Sequence, residues 1–183
     1  FGENARLDIG GSFVGSSADS LIFPNNSEFS AVNPDSKPLL SVNVPLGLQY
    51  GTNPGNISVK GDGKGIRKSS EIVDTQNALR VKADETLGLI GGDINLEGAT
   101  LKTAGGRIEL GSVKEDLVNI ITTEKGFSFD YNAVNNGGDI NLSQQAAVDA
   151  SGEGAGDIQV WGKNIKLVGD SQIETSTLGS EYG

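Results

Sequence analysis

One short phrase recurs along this chain and limits what it can fold into. Two small, turn-forming residues are followed by an apolar–polar–apolar triplet. The phrase appears as Gly91-Gly92-Asp93-Ile94-Asn95-Leu96, as Gly105-Gly106-Arg107-Ile108-Glu109-Leu110 and as Gly137-Gly138-Asp139-Ile140-Asn141-Leu142. Looser copies are Ala155-Gly156-Asp157-Ile158-Gln159-Val160 and Gly162-Lys163-Asn164-Ile165-Lys166-Leu167. The alternation sends Ile and Leu to one face of a strand and Asn, Glu or Lys to the other. The preceding small pair supplies the positive φ of a sharp corner. Strands this short cannot stand alone, and stacking on a neighbouring copy gives them backbone partners and a shared dry interior.

Successive copies are offset by 14, 32, 18 and 7 residues, which excludes a fixed-period array of ankyrin or leucine-rich type. Irregular offsets fit a coil of two or three short strands with corner loops of variable length. On that reading Ile158 and Ile165 lie on adjacent faces of one coil, and Ile140 to Ile158 spans one full coil. The expected fold is therefore all-β: a right-handed parallel β-helix with short extra-helical strands or a hairpin. A closed barrel or sandwich needs longer strands and regular hairpins. Val118 to Tyr131 does read as a hairpin, with Val118 and Ile120 before a turn near 123–126 and Phe127, Phe129 and Tyr131 after it. Ser70–Glu85 and Val113–Ile121 fit a short helix or a strand equally.

Composition narrows function. Of 183 residues 27 are Gly and 36% are apolar, so the core must come from many small contributions. The net charge of −10 repels phosphate backbones and anionic membranes, so no nucleic-acid partner is expected. Acidity also keeps an elongated protein soluble outside the cell. Cys, His and Met are absent, which removes disulfides, thiolate chemistry and the commonest general base and metal ligand; no cofactor is expected. The missing initiator Met suggests a processed chain or an excised fragment. No signal peptide is visible, so any targeting segment lies upstream or has been removed.

Three segments are more specific: Phe1-Gly2-Glu3-Asn4-Ala5-Arg6-Leu7-Asp8-Ile9-Gly10-Gly11-Ser12-Phe13-Val14 and its continuation to Ala18, Leu40-Ser41-Val42-Asn43-Val44-Pro45-Leu46-Gly47-Leu48-Gln49-Tyr50-Gly51 and its continuation to Val59, and Thr86 to Val113. The first resembles the secretion domain of two-partner secretion exoproteins of the filamentous haemagglutinin family, and the second and third are similar to that family's cyanobacterial branch. Asp139 to Gly179 continues with that branch's stem-like pattern. The Asn-Pro-Asn-Gly motif that usually precedes such a Phe-Gly is not in the sequence. The resemblance implies a β-helical fold, export through an outer-membrane two-partner secretion transporter, and a secreted or bacterial cell-surface location. It also implies an adhesin-like, non-enzymatic role. Residues 1–62 would be the C-terminal part of the secretion domain, and residues 63–183 β-helix coils continuing into the stem. The molecule is expected to be a monomer, with a surface glycan or cell receptor as its candidate partner.

Candidate chemistry is sparse. Asp93, Asp139, Asp157 and Asp170 stand beside Gly at corners, where capping of turns accounts for them; clustered Asp and basic residues would otherwise suit a polysaccharide-active β-helix enzyme. Gly152-Glu153-Gly154-Ala155-Gly156-Asp157 brushes against calcium-binding nonapeptide repeats but occurs once. Gly61-Asp62-Gly63-Lys64-Gly65 lacks the spacing of a phosphate loop and reads as a mobile loop. Three sequons begin at Asn25, Asn56 and Asn141. Trp161, the sole Trp, alternates with Val160 and should point outward, as a glycan contact of a carbohydrate-binding module or packed under a neighbouring coil.

Overall fold

The computed structural model describes residues 1–7, 9–24, 27–33, 44–72 and 74–180. Within them the chain is built of strands. It makes four passes through the same three parallel sheets. The first pass opens with β1 (Phe13–Ser16), leaves the stack for β2 (Ser20–Ile22), β3 (Glu28–Ser30) and β4 (Gly47–Tyr50), and returns as β5 (Ile57–Lys60) and β6 (Leu79–Arg80). The second is uninterrupted: β7 (Thr86–Gly91), β8 (Ile94–Glu97), β9 (Thr100–Lys102). The third runs β10 (Arg107–Ser112), an excursion through β11 (Asp116–Thr123) and β12 (Gly126–Asp130), then β13 (Asp139–Ser143) and β14 (Ala147–Asp149). The fourth is β15 (Asp157–Trp161), β16 (Asn164–Leu167) and β17 (Gln172–Glu174). The parallel sheets are β1-β7-β10-β15, β5-β8-β13-β16 and β6-β9-β14-β17. The excursions form a fourth, antiparallel sheet in the order β12-β11-β4-β2-β3.

Register explains the core. In-register columns run Phe13, Leu87, Ile108, Ile158 in the first sheet and Ile57, Ile94, Ile140, Ile165 in the second. Leu79, Leu101, Val148 and Ile173 form the third. All three columns feed one apolar interior. Each fully buried Leu or Ile contributes roughly 1.5–3 kcal/mol. Thus Ile94, Ile108 and Ile140 are sealed, Ile158 packs against them, and Ile165, on an edge strand, stays 46% exposed. Outward positions alternate as the sequence demands; Asn141 Nδ2 donates to Asn95 Oδ1 at 3.2 Å across β13 and β8.

Several sequence expectations need correction. Ile140 to Ile158 is not one full pass, because they stand in different sheets. Equivalent corner residues Asp139 and Asn164 are 25 apart, and Asp93 and Asp139 are 46 apart because the β11–β12 excursion intervenes. Ile158 and Ile165 do lie on adjacent faces of one pass. The Gly pairs do not generally supply positive φ: of the three, only Gly105 does (+69°). Gly92 and Gly137 are needed because passes meet closely at the corners, where an added Cβ would stand 2.6 Å from the Pro54 carbonyl and 2.7 Å from the Lys163 nitrogen. Val113–Ile121 resolves to strand over β11. Ser70–Glu85 holds only the short β6, with Val73 outside the described residues. The hairpin read at Val118–Tyr131 is present, Thr123 pairing with Gly126. Gly61-Asp62-Gly63-Lys64-Gly65 is a turn fastened by Gly63 N–H to the Gly98 carbonyl at 3.0 Å.

Candidate functional site

The antiparallel sheet packs on the outer face of the first parallel sheet, and one glycine sets how it sits. Gly111 of β10 lies between Ile90 and Trp161 in register. With no side chain there, the Tyr131 ring descends onto the strand; a Cβ on Gly111 would meet Tyr131 Oη at 2.4 Å. Trp161 then stacks on Tyr131, with centroids 5.1 Å apart and planes within 6°. Nearby, the Tyr50 hydroxyl donates to the Ile90 carbonyl at 2.7 Å, and burial pushes its pKa up. Glu109, also on the outer face, is sealed by this layer. Arg107 Nη1 donates to its Oε1 at 3.1 Å, while among the described residues Oε2 and the Tyr131 hydroxyl are buried without a hydrogen-bond partner. Burial pushes the Glu109 carboxyl up to about 7, against the opposing pull of Arg107.

The outer face of the third sheet carries a charged column, Arg80, Lys102, Asp149 and Glu174. The segment 61–78 covers it and adds Arg67 and Asp74. Arg67 Nη2 donates to Asp149 Oδ2 at 2.8 Å, Lys102 Nζ pairs with the same oxygen at 3.0 Å, and Lys102 also pairs with Asp74. These four side chains are almost wholly buried. Burial opposes the Asp149 charge, yet hydrogen bonds from Ser151 and the Lys102 ammonium hold its carboxyl below the usual range.

The carboxylates picked out from sequence do not converge on one reaction centre. Asp93 accepts from the Asp139 backbone N–H at 2.9 Å and pairs with Lys114 at 3.1 Å, which lowers its pKa. Asp139 accepts from Asn164 Nδ2, and exposed Asp157 pairs with Arg107. Asp170 occupies a left-handed corner at φ 58°. Among the described residues no group of three or more His, Cys, Asp or Glu is arranged to hold a metal ion. Of the sequons, the first includes Asn25 and Asn26, which lie outside the described residues; Asn56 Oδ1 accepts from Asp93 N–H, and Asn141 belongs to the ladder above.

Trp161 does sit on the outer face, beside Gln159, and is packed as well, on Tyr131. It forms the shared wall of two open clefts of about 710 and 500 Å³.

Against known proteins, the TPS secretion domain family matches residues 1–160. The chain belongs to that family. It is a two-partner secretion exoprotein, exported with the help of a TPS transporter. No curated protein and no solved structure matches the chain. The TPS secretion domain match spans the first three passes and most of β15, including both excursions. Sequence reasoning missed the parts of this secretion domain that depend on what covers a strand: Tyr131, Glu109, Arg67, Asp74, Lys102 and Asp149. A polar residue in an alternating strand points outward, but nothing local says whether outward means water or a second layer.

Proposed function

We propose that this chain belongs to an adhesin-like, non-enzymatic exoprotein of the filamentous haemagglutinin type, with a cyanobacterial-type secretion domain, retained at or released from the bacterial surface as a monomer. The three parallel sheets are read as the faces of a right-handed parallel β-helix, the hand that parallel crossovers almost always take. The boundary expected at residues 62 and 63 falls inside one apolar core, which Val59 and Leu79 share, and the secretion-domain match runs on past it to residue 160.

One observation carries the reading: each pass supplies the backbone partners and the apolar lid of the pass before it, in register. A chain of this design crosses a pore unfolded and then stacks pass by pass outside. Each added pass buries apolar surface, so folding favours outward movement without a nucleotide. The absence of Cys leaves the chain free of crosslinks during transit.

The test replaces the facing pair Asn95→Cys and Asn141→Cys, whose side chains already touch across β8 and β13. Oxidation before transit closes a loop of the chain. Export should stop under oxidising conditions and return on reduction. Full export of the oxidised, crosslinked chain would sink the mechanism.

A further inference from the structure

We propose that the two clefts flanking Trp161 form one trough that binds a neutral oligosaccharide chain lying across the tryptophan edge. Trp161 lines both clefts and is held by its stack on Tyr131, itself locked over Gly111. Tyr131 covers one face of the indole, and the part of the rigid ring that stays exposed is apolar surface against which the C–H groups of a sugar can lie with little loss of side-chain freedom.

The lining chooses the ligand class. The larger cleft presents Asn135, Asn136 and Asn164, and the smaller presents Asn132 and Gln159. Asn164 and Gln159 keep a carbonyl and one N–H beside their bonds to Asp139 and Phe129, and Asn135 keeps its carbonyl beside its bonds to Asp116 and Ala133; this mixture of donors and acceptors matches the paired character of neighbouring sugar hydroxyls. Charges are balanced within each cleft: Lys114 and Lys163 against Glu115 and Asp139 in the larger, Arg107 against Asp130 in the smaller. Such walls offer an acidic sugar no excess positive charge, and the chain's net charge of −10 repels it at longer range. Both volumes lie within the roughly 300–1,000 Å³ of small-ligand sites. Both clefts are open at the surface, so a polymer can pass through with neither end enclosed.

The trough gives the adhesin-like reading a ligand class and rests on that reading only for its biological purpose. Sugar binding is read on the purified folded chain, so the outcome of the crosslinking export experiment does not bear on it.

Because Trp161 is the only Trp, its fluorescence reports this site alone. The full chain is titrated with malto-, cello-, manno- and xylo-oligosaccharides and, for comparison, with oligogalacturonate. At least one neutral series should give a saturable change at millimolar sugar, insensitive to salt. Trp161→Ala, followed by calorimetry, should weaken that binding about tenfold or more. Asn136→Ala, on the exposed rim, should weaken it too while leaving the urea midpoint in place, which separates lost binding from lost folding. No saturable change with any neutral series, binding of the acidic series alone, or undiminished binding by Asn136→Ala and Trp161→Ala overturns the trough.

Discussion

Glu109 is a carboxyl placed where a strand's outward side became an interior. Its flanking partners in register are Gly88 and Gln159, the Arg107 guanidinium pairs with it, and Tyr131 lies beside it. The folded state holds its proton up to about pH 7, whereas an unfolded carboxyl releases it near 4.5. Between those values the folded chain binds more protons than the unfolded one, so this residue's contribution to stability falls as pH rises and is fully lost above about 7. The full effect is bounded by about 3 kcal/mol, at 1.36 kcal/mol per pKa unit. Glu109→Gln should therefore be little changed relative to the native chain at pH 4.5 and more stable relative to it at pH 8. Urea midpoints at the two values measure the gap, and a gap independent of pH would refute the assignment. Gly111→Ala tests the neighbouring contact. The new methyl collides with a rigid ring, for which overpacking costs typically about 1–3 kcal/mol, and the Trp161 emission should shift as its stack on Tyr131 is disturbed.

At the scale of elements, a buried charged cluster helps fasten the segment 61–78 to the third sheet. Arg67 reaches Asp149 with two nitrogens, and Lys102 joins Asp149 to Asp74. Removing one member of a buried ionic set leaves its partner desolvated and unpaired, at a cost of about 3–5 kcal/mol when no other cation remains. Lys102 stays beside Asp149, so Arg67→Ala should cost less than that, about 2 kcal/mol, in the range of charged hydrogen bonds. It should also expose 61–78 to limited proteolysis before the strands are cut. Resistance equal to the native chain would mean that Arg67 does not hold the segment. The depressed Asp149 carboxyl works in the opposite sense to Glu109. Its contribution is present above the ordinary carboxylate pKa and disappears as pH falls through the lowered value.

For the whole molecule, stability should grade along the stack. Leu96 and Leu142 have passes on both sides and are wholly buried, whereas Leu167, in the same column, lies on an edge strand and is 41% exposed. Leu96→Ala should cost about 2–5 kcal/mol, as a cavity in a closed interior does. Leu167→Ala should cost under about 1 kcal/mol, since much of that side chain already meets water. Equal losses at the two positions, measured by urea midpoints, would mean that the column is not one continuous interior.

The sequence by itself determined the strand type, the inward residues of the repeated phrase and the family. Alternation over four residues is a local property, and Ile94, Ile108, Ile140 and Ile158 fell inward as it requires. The hairpin at Val118–Tyr131 was legible for the same reason. The tertiary structure alone decided which copies stack on which, because insertions between β10 and β13 alter spacing without altering register. It alone decided what lies outside the stack. Trp161 could be marked as outward, yet its stack on Tyr131 and the clefts beside it arise from a hairpin folding back over a glycine. A strand's polar face meets solvent or another layer according to the path of distant segments, and the residues of the strand do not record that path.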